Sequence, residues 1–519
     1  MRKTTAAALG LLFCAGVLTA KTISVYHTSD VHGWYSSRPA KWDKENSTRT
    51  IGGFAALSSL LKKEKNPYIL LDSGDMFQGT PEGNSTKGMA SITLMNQLGY
   101  SAGLIGNHEY DYAEDNVKVL ASSASFPILG ANVYAKSTGK HADYLKPYVM
   151  IEKAGTRIAV LGIAGKHTAH STLPFNVKGL KFMDEAKETV KWMTEIKGQK
   201  PDAVIILAHI GLAGGYGNNI VDISTLTLTD VQAGQGTLKI ARSAKGAALV
   251  FGGHNHTGLA KGYYDGKSGV WLAESFWSLL DVTKAELDFD DATGKFKGAR
   301  VSIIPLWTDQ TGEDPEVEKT IQGFSASISA EMDKVLCESE AYLGISETGL
   351  DSAIGNWMTD AMRRQAQADI AFQNTTGIRS DIKKGVVKMR DIYQVMPFDN
   401  TAVKLEMTAA QIVRLIKDNF GNGRTRLQVS GLTVKLKLSP EGNPVEISLE
   451  RDGKKVPPGT SFSVVTNNYV TSGGSGGQVF GEGRNIEDTL MPIRDLLIKD
   501  VRENSPIQLP AGGRFVITN

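Results

Sequence analysis

Between Thr22 and about Pro305 the chain returns six times to a short run of Val, Ile, Leu and Ala, and five of the six runs end abruptly in residues able to bind a cation. The runs are "TISVYHTSD", "YILLDSGD", "AGLIGNHE", "RIAVLGIAG", "DAVIILAHIG" and "AALVFGGHNH", with helical patterns between them. They show little alternation of apolar with polar residues, so each is a strand covered on both faces, and helices must lie outside the sheets. The expected class is therefore a layered α/β domain. In open α/β sheets the carboxyl ends of the strands are where ligands collect, because the loops there converge over a rigid platform.

The residues at those ends are Asp30 and His32 in "SDVHG", Asp75 in "DSGD", Asn107 and His108 in "GNHE", His209 in "LAHIG", and His254 and His256 in "GGHNH". Five of the nine histidines fall in these motifs. One Asp-x-His alone is more often a cap or a loop pair than a metal site. Independent accidents would not each sit at a strand end, so the set points to metal. Carboxylates, imidazoles and an amide carbonyl make a mixed oxygen and nitrogen shell, suited to Mn, Zn, Fe or Co and less to Ca²⁺. The set exceeds what one ion needs. Two divalent ions roughly 3.5–4 Å apart, sharing a carboxylate, would use it and could hold a bridging hydroxide aimed at phosphorus.

With 519 residues, 41% hydrophobic and 22% charged, the chain can bury more than one core, and two domains are expected. A net charge of +2, from 57 basic and 55 acidic residues, gives no field that would gather a nucleic-acid polymer or an anionic membrane. Residues 1–20 have a basic start at Arg2 and Lys3, an apolar run from Ala6 to Leu18, and Ala20 where cleavage would fall. This reads as a secretory signal peptide and predicts a periplasmic or secreted protein with no stable membrane span after cleavage. Lipoprotein anchoring at Cys14 is disfavoured, because Phe13 stands where a small residue is needed. Only Cys337 would remain in the mature chain, so no intrachain disulfide is expected.

After Pro305 the register changes. A polar, Pro-containing stretch leads into an amphipathic helix, and the predicted organisation is a metal domain over 21–312, a linker helix over 313–336 and a second domain over 337–519. The second domain mixes helices around "AIGNWMTDAMRRQAQA" and "TAAQIVRLIKDNF" with strands around "DIAFQNTTGIR", "LQVSGLTVKLKL" and "FSVVTNNYV", and a Gly-rich loop "TSGGSGGQVFGEG". The polar segment 212–236 reads either as a lid or as a passive insertion.

The order "DVHG", "GD", "GNHE", "AHIG", "GHNH" resembles the calcineurin-like metallophosphoesterases. The downstream "GNWMTDAM", "NTTGIRSDI", "MPFDN" and "NNYVTSGGSG" extend the resemblance to the two-domain 5′-nucleotidase family that includes bacterial periplasmic UDP-sugar hydrolases. It implies a four-layer αββα sandwich followed by a smaller α+β domain. It also implies that Asp30, His32 and His256 serve one metal, Asn107, His209 and His254 the other, and Asp75 both. His108 is then not a ligand but the group that stabilises or protonates the leaving oxygen, with Asp111 holding its other nitrogen. In the second domain the resemblance assigns a phosphate oxygen pair to Arg379, a loop-anchoring or base contact to Asn374, and base stacking to Phe398 and Tyr469.

Three departures stand out. Where the family carries an Asp for the ribose hydroxyls this chain has Ser475, with Gly477 at the following aromatic position; Thr348 lies where an arginine is common; and Thr375 and Thr376 replace glycines. The implied activity is metal-dependent hydrolysis of a nucleoside monophosphate, nucleotide sugar or cyclic nucleotide. The alternatives are the same centre acting on a non-nucleotide phosphoester or a sulfur ester, and a ligand-binding protein without turnover.

Overall fold

The computed structural model of the protein describes residues 21–518 apart from 41, 215, 217–218, 224–227, 230–231, 233 and 346–347. The predicted signal segment 1–20, with Cys14, lies outside the described residues. All six apolar runs form strands. One six-stranded sheet runs, edge to edge, Phe296–Pro305, Asp281–Phe289, Lys21–Thr28, Tyr68–Asp72, Ala102–Leu104 and Ile128–Leu129; the other runs Tyr263–Asp265, Val270–Glu274, Leu249–Gly252, Ala203–Ala208, Thr156–Ile163 and Tyr148–Lys153.

Strand alternation places each side chain on one of two apolar interfaces. Ile23, Val25, Ile69 and Leu71 of the first sheet meet Val160, Ile205, Leu207 and Phe251 of the second in a core between the sheets. The opposite face of the first sheet, with Tyr26 and Leu70, packs on Leu57, Ile92 and Val117 of helices Phe54–Lys62, Met89–Leu98 and Ala113–Ser123. That of the second, with Val204 and Ile206, packs on Met193, Ile196 and Leu238 of helices Glu185–Gly198 and Gly236–Ser243. The layers are helix, sheet, sheet, helix, the predicted αββα sandwich.

The helix Pro315–Met332 starts on the Asp314 cap, whose carboxylate accepts the Glu316 N–H at 3.2 Å. Val317 and Ile321 are buried in the first domain's helical core, whereas Ile328 and Met332 pack into the core of the second domain. The residues between are exposed or half-buried. The second domain is built on a five-stranded sheet in the order Leu427–Ser430, Ile370–Asn374, Ser461–Asn467, Thr401–Thr408 and Arg484–Pro492. Helices Ala353–Ala366 and Ile493–Glu503 cover one face, and helix Ala409–Asp418, closed by a Thr408/Gln411 capping box, lies on the other. The Gly-rich stretch expected as a loop winds instead into 3₁₀ turns over Gly474–Glu482, kinked at Ser475 and Gly476. Cys337 is buried and unpaired. Among the described residues no helix is long and apolar enough to cross a membrane.

Candidate active site

Parallel pairing aligns the strand ends that carry the candidate ligands. Lys21–Thr28 lies beside Tyr68–Asp72, and that strand beside Ala102–Leu104, so Asp30, His32, Asp75 and Asn107 leave the same edge of the first sheet. Ala203–Ala208 and Leu249–Gly252 are parallel neighbours in the second, and deliver His209, His254 and His256. Five of these seven residues have left-handed backbones: Asp30 (φ 53°), His32 (51°), Asp75 (59°), His254 (69°) and His256 (55°). Such a conformation costs a non-glycine residue on the order of 1 kcal/mol or more, and persists only where the surroundings impose it. The loops are close-packed as well: a Cβ on Gly74 would meet Gly106 N at 2.6 Å.

The donor chemistry fits two cations. Ligand atoms of Asp30, His32 and His256 lie within 4.8 Å of one another, as do those of Asp30, Asp75 and His209. His32 Nδ1 pairs with the Gln78 carbonyl and His209 Nδ1 with that of Ser73, each at 2.7 Å, so both rings turn Nε2 into the cluster. His32 Nε2 lies 3.0 Å from His256 Nε2, and His209 Nε2 lies 3.1 Å from Asp75 Oδ2 and 3.2 Å from Asn107 Oδ1. Burial, and then positive neighbours, hold His32, His254 and His256 well below the usual histidine range, which leaves neutral imidazoles suited to a metal. Burial opposes a charged ring at His209 too, yet Asp75 raises it to about 10, so this point of the site favours positive charge. Asp30 is fixed by Ser29 Oγ at 2.5 Å and by the His254 N–H.

His108 is placed differently. Its Nδ1 lies 2.7 Å from Asp111 Oδ2, and the other oxygen of Asp111 accepts from Thr172 Oγ1 at 2.9 Å. Its Nε2 is 4.0 Å from Asp75 Oδ2. Burial lowers its pKa, but Asp111 and Asp75 outweigh burial and raise it. Glu109 accepts the N–H groups of Asp75, Met76 and Gly106 and so knits two of the ligand loops. Tyr110 is fully buried.

The second domain closes on this cluster. Arg379 Nη2 is 3.3 Å from His32 Nε2, the Phe398 ring lies 5.6 Å from that of His108, and the Arg379 guanidinium is 5.9 Å from the Phe398 centroid. A cavity of about 880 Å³ is lined by Asp75, Asn107, His108, Asp111, His254 and His256 from one side, and by Asn374, Arg379, Phe398, Tyr469 and Ser475 from the other. Asn374 is buried and serves as the loop anchor: Oδ1 accepts from Asn467 and Nδ2 donates to Thr376, both at 2.9 Å. Tyr469 lies across Gly474, where any Cβ would sit 2.4 Å from the ring. No described residue of segment 212–236 lines the cavity.

Two residues escaped the sequence reading. His167 follows the one apolar run that carried no candidate. Its ring stacks on His254 at 3.7 Å, its ligand atom falls within 4.8 Å of those of His209 and His254, and its buried Nε2 has no hydrogen-bond partner. Trp277 stacks on His256 at 4.9 Å and lines the cavity. The sixth strand end was a signal for His167; none marked Trp277.

Residues 23–258 match the family model of the calcineurin-like phosphoesterases, and residues 336–482 that of the 5′-nucleotidase C-terminal domain. The trifunctional nucleotide phosphoesterase protein YfkN of Bacillus subtilis (strain 168) is 27% identical over 90% of this chain, which spans 33% of that longer relative. Protein UshA of Escherichia coli (strain K12) is 25% identical, with 88% of this chain and 86% of UshA covered. The crystal structure of a 5′-nucleotidase precursor from Thermus thermophilus shares the fold with a TM-score of 0.82 at 24% identity, covering 96% of this chain and 99% of that one. The chain thus joins a segment that matches the calcineurin-like phosphoesterases to one that matches the C-terminal domain of the 5′-nucleotidases.

Proposed function

We propose that the protein is a two-metal phosphohydrolase of the 5′-nucleotidase type, which releases phosphate from nucleoside monophosphates or opens related nucleotide diesters and diphosphates, after export through its N-terminal segment. The observation that carries this reading is the meeting, around one cavity, of the ligand cluster, the His108–Asp111 pair and Arg379 from the second domain. Asp30, His32 and His256 would hold one divalent ion and Asn107, His209 and His254 the other, with Asp75 available to both and His167 as a further donor to the second. When bound, the two ions supply Lewis acidity toward the phosphoryl oxygens and a water reactive at neutral pH.

The chain's own groups do the rest. His108, held as the cation by Asp111, gives the proton on Nε2 to the leaving oxygen. The Arg379 fork takes two phosphate oxygens and orients the group in line. Phe398 and Tyr469 receive the base, and closure of the second domain excludes water. Purified protein supplied with Mn²⁺ is expected to release phosphate from p-nitrophenyl phosphate, and a panel of AMP, UDP-glucose, cyclic nucleotides and sugar phosphates then ranks substrates. Absence of turnover with every divalent metal would overturn the proposal.

A further inference from the structure

The charge along the cavity wall is segregated. Its carboxylates are Asp75, Asp111 and Asp399; the first two face the ligand cluster and His108, and the third is taken by Arg494 Nη2 at 2.5 Å. Its arginines are Arg379, which reaches His32, and Arg424 and Arg426. Thr425 is buried between two exposed arginines, and both arginines line the cavity. Among the described residues neither arginine has a carboxylate partner.

Their backbone is pinned. Thr425 N–H donates to Gly349 O at 2.8 Å, Arg426 N–H to Asn419 O at 2.8 Å, and Thr375 N–H to Arg426 O at 2.9 Å. Arg424 lies over Gly349, where an added Cβ would come 2.4 Å from its Cγ. The neighbouring Thr376 hydroxyl is 3.3 Å from that of Ser475, so this end offers hydroxyls and guanidinium groups and no free carboxylate. Two guanidinium groups on a pinned backbone, with no carboxylate partner among the described residues, suit a planar or tetrahedral oxyanion.

We propose that this end of the cavity binds a second phosphate of the substrate, separate from the one hydrolysed, and that the preferred substrates are nucleoside bisphosphates phosphorylated at both the 5′ position and the ribose ring. The inference rests on the phosphohydrolase reading. Nucleoside 5′-diphosphates do not satisfy it, because their contiguous phosphates both stay at the Arg379 end.

The test compares kcat/KM for adenosine 3′,5′-bisphosphate, AMP and ADP in wild type and in R424A/R426A, with Mn²⁺ present, and calorimetric binding of the bisphosphate to both proteins. The wild type should favour the bisphosphate over AMP by about tenfold or more, mainly through KM, the size expected of charge-assisted hydrogen bonds. R424A/R426A should lose that preference and bind the bisphosphate at least tenfold more weakly. Equal handling of AMP and bisphosphate by the wild type, or a preference that survives in the variant, overturns the proposal. Failure of the hydrolase reading has a different signature: no turnover of p-nitrophenyl phosphate, with the calorimetric comparison still deciding the phosphate site. Thermal melting of R424A/R426A checks that it is folded.

Discussion

Asp75 and His108 are neighbours, the His108 N–H donating to Asp75 Oδ1 at 2.9 Å and His108 Nε2 lying 4.0 Å from Asp75 Oδ2, yet their removal should have different consequences. Asp75→Ala takes away the carboxylate proposed to serve both ions, and metal analysis should find the variant depleted as well as inactive. His108→Ala removes a proton donor and no ligand, so metal content should stay at the wild-type level while kcat falls roughly 10²–10⁴-fold. If the two variants behave alike, the division of roles is wrong. His167→Ala should weaken one of the two ions about tenfold or more in a metal titration. The motif residues were legible because a polar cluster at the end of a buried run is unfavourable unless a bound ion or a polar partner satisfies it. His167 was less so: three residues stand between it and the end of the strand Thr156–Ile163, and only the folded chain reveals its stack on His254.

At the scale of elements, the strands could be read from their apolar runs but their assignment to sheets could not. A run buried on both faces carries no mark of which neighbour it takes, and Asp281–Phe289 and Phe296–Pro305 join the first sheet although they follow the strands of the second. One contact tying these elements together makes a pH prediction. Glu64, just beyond helix Phe54–Lys62, accepts from Tyr26 Oη at 2.7 Å and pairs with Lys284 Nζ at 2.8 Å. Burial raises its pKa, but the bonds from Lys284 and Tyr26 prevail and bring it from 4.5 to about 2. A depressed carboxylate contributes stability above its unfolded pKa and loses it as the pH falls toward the folded one; here the window runs from about 4.5 down to about 2. Glu64→Gln should therefore melt lower than wild type at pH 7, and calorimetry should find the gap closing as the pH drops through 4 toward 2.

At the scale of the whole molecule, the ligand cluster draws on both sheets, so metal binding should stabilise the first domain as a unit. Chelator-treated protein should melt lower than protein given Mn²⁺, with about 2.7 kcal/mol gained at a hundredfold excess over Kd, and Asp75→Ala should lose most of that response. The contacts that seat the second domain, Asn84 Nδ2 to Pro397 O at 2.6 Å and Glu82 with Arg390 at 3.4 Å, come from a short helix the sequence did not mark. The linker helix itself was legible, but its rooting in both cores was not, because Val317 and Met332 look alike until each has a partner. That rooting makes the helix a lever arm of fixed length. One extra turn spliced into its solvent-facing middle, near Ser327, would lengthen the arm by about 5.4 Å without disturbing either anchor. Arg379 and Phe398 would be carried out of reach of His32 and His108, and two sound halves would remain that no longer share a task.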